Sequence, residues 1–301
     1  METEAIEGQT LRGRGRLVDY SNLVKLPHTV FALPFALVGV TLASYRFSVR
    51  VQDIAWILLA FTAARFAAMG FNRIVDRAID EKNPRTRMRE IPAGKLTVTQ
   101  AAIAVAAASA AFLLSAAMLN PLCLALAPFA LGWVFLYSYT KHFTRWAHLV
   151  LGGALGIAPV GAYLAISGSW SEPAGALPAL AGAVLSWVAG FDILYSLQDE
   201  EFDRKNGLHS VPAAFGKPRA IAISRTLHAL CVVLFAAVGW MIPELGALYF
   251  AGVALIGAML MYEQSLVRAD DLSRIDAAFF NVNGAISVVF FLMVLVERVL
   301  A

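Results

Sequence analysis

The chain is 301 residues long, 59% hydrophobic and only 15% charged, with a formal net charge of +3. A soluble globular domain carries roughly a quarter charged residues, so this composition excludes that class and points to an integral membrane protein. The net charge says little by itself; its distribution along the chain says more.

Residues 1–24 form a polar N-terminal segment, and Glu2, Glu4 and Glu7 beside Arg12, Arg14 and Arg16 argue against a mitochondrial transit peptide. Crossing a bilayer core takes roughly 20 apolar residues of helix. Nine such stretches are predicted, near 26–46, 53–72, 97–118, 121–140, 146–168, 175–196, 218–241, 244–267 and 275–297. They nearly exhaust residues 25–301, which are therefore read as a single membrane domain. The first stretch is too long and too late for a signal-peptide core and is read as a retained helix. Cys123 and Cys231 fall inside apolar stretches without metal-ligand or disulfide spacing. Gly152-x-x-x-Gly156, with Gly153 and Pro159 nearby, predicts close helix packing with a kink. His28, His142, His148, His209 and His228 show no metal spacing. Walker A and dinucleotide-binding motifs are absent, and no nucleic-acid partner is expected.

Lys and Arg are distributed unequally between the connecting loops. With the amino end inside, the inner loops hold Arg73, Arg77, Arg85, Arg87, Arg89, Lys95, Lys141, Arg145, Lys217 and Arg219, among others. The outer segments hold Arg46, Arg50 and Arg298. The positive-inside rule then places the amino end in the cytoplasm and the carboxyl end outside, as expected in a bacterial inner membrane.

Two repeats carry the chemistry. Asn72-x-x-x-Asp76-x-x-x-Asp80 closes the second stretch, and Tyr195-x-x-x-Asp199-x-x-x-Asp203 closes the sixth. Four residues of α-helix turn through 400°, so each triplet lies within about 80° of arc. Four crossings separate the repeats, which places them on the same side. Clustered carboxylates repel unless a cation sits between them, and oxygen ligands of this kind suit Mg²⁺ with substrate phosphates. Asp76, Asp80, Asp199, Asp203 and Asn72 are therefore the candidate metal ligands. Asn72 and Tyr195 can also hydrogen-bond a phosphate oxygen. The halves echo each other further: Asp80-x-x-Asn83 matches Asp203-x-x-Asn206, and Ile91-Pro92-Ala93-Gly94-Lys95 matches Val211-Pro212-Ala213 followed by Gly216-Lys217.

Asp192 and Arg65 each lie seven residues before a repeat, deeper in the span. Ionisable groups there usually face a cavity or a partner, so a structural ion pair is the competing reading. The preferred one has Arg65 hold an anionic group and Asp192 orient an acceptor or take its proton. Among the basic residues that can reach pyrophosphate, Lys141, Arg145 and Arg87 are the candidates. The others serve topology or lipid head groups.

Paired motifs at this spacing in nine spans resemble the UbiA superfamily of intramembrane prenyltransferases. The loop from Asp80 to Lys95, with Arg87, Arg89 and Pro92-Ala93-Gly94, also resembles that family's first inside loop. Arg73 departs from it, because many members carry an acid or amide there. The resemblance implies an all-α bundle around a central cavity open to lipid, Mg²⁺ as cofactor, and a polyprenyl pyrophosphate as donor. The segment His28 to Ala36 looks most like bacterial quinone-pathway members, which implies an aromatic-acid acceptor, either 4-hydroxybenzoate or a dihydroxynaphthoate. Family members that use haem, a chlorophyllide or a glycerol phosphate share the motifs and keep those acceptors open. A cation-coupled transporter is the rival class. Against it, the repeats lie at one surface rather than at the midplane, and the halves are parallel.

Overall fold

A computed structural model of the chain describes residues 15–25 and 33–300. The described residues are helical throughout, with no strand. In order they form α1 (Arg16–Leu23), α2 (Leu33–Ala43), α3 (Val51–Lys82), α4 (Val98–Leu119), α5 (Pro121–Thr140), α6 (Ala147–Ser167) and α7 (Ala176–Ser196). A 3₁₀ turn (Leu197–Asp199) leads into α8 (Glu200–Lys205) and α9 (Val211–Phe215). Then come α10 (Lys217–Met241), α11 (Ala247–Leu266), a π-helical segment (Ala277–Val282) and α12 (Asn283–Leu300).

Among the described residues, eight helices are long and apolar enough to cross a membrane, not nine. Part of the first predicted stretch, including His28 to Phe31 of the segment noted above, lies outside the described residues, and what is described of it is the 11-residue α2. Arg12 and Arg14 also lie outside them. The second stretch runs ten residues past its predicted end, because nothing between Asn72 and Lys82 breaks a helix.

Local signals set the helix ends. Thr97 and Gln100 cap each other's backbone at the start of α4. Asn120 caps α5 ahead of Pro121, and its amide also donates to Leu164 O and Ala165 O at the end of α6. Gly168 ends α6 in the left-handed conformation. The equivalent loop glycines, Gly94 and Gly216, share positive φ values of 71° and 78°, so that part of the sequence echo is also a structural one.

The central helix is α7, which buries Leu177, Leu180, Val184, Trp187 and Val188 between α6 and α10. Large apolar side chains such as Phe129, Trp133, Leu136 and Val233 stay exposed around the bundle. That is expected where the surrounding solvent is hydrocarbon. Backbones approach where side chains are missing. A Cβ on Gly152 would sit 2.4 Å from Leu185 O, one on Gly156 2.7 Å from Ala181 O, and one on Gly39 2.0 Å from Pro159 O. Gly39→Ala therefore forces α2 away from α6. It should cost about 1–3 kcal/mol, seen as a lowered melting temperature in detergent. Gly132→Ala, with nothing within 4 Å of its Cβ, is the control that should not melt early.

The two ends of the bundle differ. At one end Arg46 pairs with Glu244 at 3.1 Å, Arg298 bonds Ser44, and Glu297 accepts from the amides of Gly246 and Tyr249. A cavity of about 20 Å³ lies there, with room for roughly one water. The acidic motifs gather at the opposite end. There α1 packs Leu23 and Val24 against α3 and α4, and buried Arg73 donates to Leu23 O at 3.2 Å. A structural contact thus accounts for the arginine where the family resemblance leads one to expect an acid or amide.

Candidate active site

Helix length places the first repeat. The 32 residues of α3 span about 48 Å, against a bilayer core of about 30 Å. With Val51 at one surface, the last three turns project past the apolar layer, and these carry Asn72, Asp76 and Asp80 on one face. Asp76 and Asp80 are 3% and 4% exposed. Buried carboxylates need partners, and cations from other elements supply them. Lys141 Nζ, at the end of α5, meets Asp76 Oδ2 at 2.6 Å, and Asn72 Nδ2 donates to the same oxygen at 2.9 Å. Arg89 Nη1 meets Asp80 Oδ1 at 2.7 Å.

The second repeat departs from the expected geometry. It does not lie on one α-helix: α7 stops at Ser196, the 3₁₀ turn spans Leu197–Asp199, and α8 follows. A 3₁₀ turn advances about 120° per residue instead of about 100°, so Asp203 is rotated away from the arc that a continuous helix would give. Arg85 grips Asp199 with both arms, Nη2 to Oδ2 at 2.6 Å and Nε to Oδ1 at 3.1 Å. Its third nitrogen donates to the Tyr195 hydroxyl at 3.3 Å. Asn83 accepts from the Arg85 amide and donates to Asp199 Oδ1 at 3.3 Å. The loop after the first repeat thus holds the second, which places both repeats at the same end. Asn206, matched with Asn83 in the sequence, instead donates to Phe202 O of its own helix. Asp203 is half-buried, with the Ser210 side chain beside it.

The remaining candidates divide. Asp192 accepts from His148 Nδ1 at 2.7 Å. Arg65 is half-buried on α3. Tyr195 stacks on Phe279 with ring centroids 4.2 Å apart, and Phe191 meets Phe279 edge-on at 5.3 Å. Arg145 is exposed and lies over the Phe215 ring at 5.3 Å, and Arg87 is exposed. The sequence reading chose Arg87 from its loop, whereas Arg85 and Arg89 are the residues that touch the acidic motifs. The loop runs as successive turns, with the Arg87 amide on Asn83 O and the Arg89 amide on Thr86 O. Residues four apart on such turns share a side, and that spacing was the available signal. Neither Arg85 nor His148 had been singled out.

The four aspartates do not close on a single point. Among the described residues, no group of three or more His, Cys, Asp or Glu side chains is placed to hold a metal ion. The expectation that carboxylate repulsion needs a cation among them misses the covalently attached cations: Lys141, Arg89 and Arg85 each neutralise one carboxylate. Two buried oxygens, Asp76 Oδ1 and Asp80 Oδ2, have no hydrogen-bond partner. Buried acceptors left unpaired are costly. Mg²⁺ takes one or two carboxylates and fills its remaining positions with water and phosphate oxygens. The oxygens of the first repeat fit that donor set.

The model of the UbiA prenyltransferase family matches residues 32–291. The 4-hydroxybenzoate octaprenyltransferase of Cronobacter sakazakii is 31% identical over 238 residues, 76% of this chain and 78% of that protein. The enzyme of the same name from Nitrosococcus oceani is 29% identical over 279 residues, 91% of this chain and 95% of that protein. The structure of a UbiA homologue from Aeropyrum pernix K1 has a TM-score of 0.82 at 36% identity, covering 90% of this chain and 98% of that one. A UbiA homologue from Archaeoglobus fulgidus, solved with DMAPP and Mg²⁺, has a TM-score of 0.72 at 22% identity over 94% and 100% of the two chains, a likeness of fold alone. Because the family match runs from the start of α2 into α12, and relatives above 30% identity cover most of the bundle, this chain belongs to the UbiA prenyltransferase family and is an integral-membrane prenyltransferase.

Proposed function

We propose that the enzyme transfers a prenyl group from a polyprenyl diphosphate to an aromatic acid, 4-hydroxybenzoate or a dihydroxynaphthoate, in quinone synthesis. The observation that carries this reading is the meeting of both motifs at one end of the bundle, with buried Asp76 and Asp80 each keeping an unpaired oxygen. Asp76 and Asp80 from the first repeat, with Asn72, and Asp199 and Asp203 from the second would hold Mg²⁺. When bound, Mg²⁺ would supply charge neutralisation at the leaving diphosphate oxygens. Lys141, Arg85 and Arg89 already neutralise the carboxylates, and they would pass to diphosphate oxygens as donor and metal enter. The Tyr195 hydroxyl would donate to a phosphate oxygen.

The allylic C–O bond breaks with its electron pair leaving on diphosphate. The ring carbon ortho to the phenol hydroxyl then forms the new C–C bond. Asp192 or the departing diphosphate takes the ring proton, which restores aromaticity. The apolar walls of the bundle keep water from the allylic cation. Arg65 would hold the carboxylate of the acceptor. Arg65→Ala should therefore raise the KM for the aromatic acid about 10-fold or more and leave that for the donor within about twofold, since a charged hydrogen bond contributes about 1.5–3 kcal/mol. We further place the enzyme in a bacterial inner membrane with the site end cytoplasmic, as the basic loops at that end suggest.

The deciding experiment offers labelled geranyl diphosphate and Mg²⁺ to purified protein in lipid, with 4-hydroxybenzoate and a dihydroxynaphthoate in parallel and EDTA as control. Product from one acceptor that EDTA abolishes supports the proposal and names the acceptor. Donor binding without product from either sends the search to glycerol phosphate, haem or chlorophyllide acceptors. Full turnover in EDTA would remove the metal from the account.

A further inference from the structure

Three consecutive residues leading from α8 into α9 each hold a different part of the site. The His209 amide donates to Lys141 O at 2.7 Å, behind the lysine that meets Asp76. The Ser210 side chain lies beside Asp203. The Val211 amide donates to His148 Nε2 at 3.4 Å, and the other ring nitrogen of His148 meets Asp192 Oδ2 at 2.7 Å. His148 is 5% exposed, and Val211 is fully buried at the start of α9.

The two contacts of His148 agree on a tautomer. A backbone N–H can donate only to a ring nitrogen that carries a lone pair, so Nε2 is unprotonated. The ring proton then sits on Nδ1 and is donated to Asp192. Asp192, as an acceptor, asks for the same proton on Nδ1, so the carboxylate and the Val211 amide together hold the ring in one tautomer and one orientation.

We propose that His148 is a positioning residue for Asp192, and that the His209–Val211 segment fixes its ring, so that the group facing the acceptor is held by the same segment that contacts the diphosphate end. One loop then links the two substrates: Ser210 and His209 address the carboxylates and lysine of the donor side, while Val211 addresses Asp192 on the acceptor side. This rests on the proposed role of Asp192 as an acceptor-facing group. The arrangement ties the orientation of Asp192 to the segment that backs Lys141 and lies beside Asp203.

The test pairs kinetics with a direct view of the ring. His148→Ala should lower kcat on the order of 10-fold to 100-fold, as the loss of an orienting partner does, with the KM for geranyl diphosphate unchanged within about twofold. In an Asp192→Asn background the same change should add little, because the histidine acts through that carboxylate. Val211→Pro removes the amide donor. Proline is tolerated at a first helical position, and Ser210 is already extended, as a residue before proline requires. That variant should reproduce the kcat loss with the imidazole still present. Multiplicative losses in the double variant, or an unchanged kcat in His148→Ala, would overturn the proposal.

The second readout does not depend on turnover. In full-length protein labelled with ¹⁵N-histidine in nanodiscs, with the signal assigned by its loss in His148→Gln, His148 should show a protonated Nδ1 and a bare Nε2. Val211→Pro should shift the Nε2 signal, which loses its amide donor, and leave the Nδ1 proton donated to Asp192. A protonated Nε2 in the wild type would end the proposal whatever the activity. A protein that prenylates no aromatic acid yet shows the expected tautomer would refute the acceptor assignment and leave the loop–histidine link standing.

Discussion

Asp76→Ala should reduce prenyl transfer by about 10³-fold or more while the protein still inserts and purifies. Two losses combine. The first is a buried carboxylate whose free oxygen is proposed to bind metal, and removing one preorganised charge-stabilising group typically costs about 10²–10³-fold. The second is the counter-charge of Lys141, which meets Asp76 at 2.6 Å and would lose its partner. Its side chain is 29% exposed, so the loss costs less than the roughly 3–5 kcal/mol of a fully buried pair. Asp76→Asn separates the two effects, because the amide keeps the shape and a hydrogen bond but not the charge. If metal binding is what matters, Asn should be as inactive as Ala and melt closer to the wild type. Radiolabelled prenyl transfer over a Mg²⁺ titration, with melting curves on the same samples, gives both numbers. Activity near wild type in either variant would remove Asp76 from the metal site.

Arg85→Ala should lower kcat/KM for the diphosphate donor by about 100-fold, and Arg85→Lys should restore only a small part of it. Arg85 forks both oxygens of Asp199 and also reaches the Tyr195 hydroxyl, so one planar group fixes three atoms of the second motif. Lysine offers a point charge and cannot keep that geometry. The loss of a charge-assisted fork costs roughly 1.5–3 kcal/mol, about 10-fold to 100-fold, and the upper end applies where a half-buried Asp199 is left without its main partner. Arg87→Ala, two residues along and exposed, is the internal comparison and should change the donor kinetics by less than about twofold. Equal effects at 85 and 87 would mean that the loop acts through its total charge and not through this contact.

Much of the architecture is legible without coordinates. The boundaries near 97–118, 121–140 and 146–168 fall within a residue or two of α4, α5 and α6, because Thr97, Asn120 with Pro121, and Gly168 punctuate the chain chemically. Gly152 and Gly156 announce a close helix contact, and they meet Leu185 O and Ala181 O. The same-side placement of the repeats follows from counting crossings, and Arg85 on Asp199 realises it. The break after Ser196 was less accessible. Nothing in Leu197-Gln198-Asp199 forbids an α-helix, and the 3₁₀ turn comes from how the chain end packs rather than from propensity.

Periodicity and polarity along the chain fix a bundle of apolar helices, two acidic motifs at one end, and basic loops beside them. These depend on neighbours along the chain, where spacing translates directly into geometry. Which cation meets which carboxylate is settled by packing. Lys141 lies 65 residues from Asp76, Arg85 lies 114 from Asp199, and His148 lies 44 from Asp192. Each inner loop offers several arginines and lysines of equal charge, and a linear pattern cannot rank them. The choice is made by turn geometry and by the direction in which one helix end faces another, and both exist only once the bundle has packed.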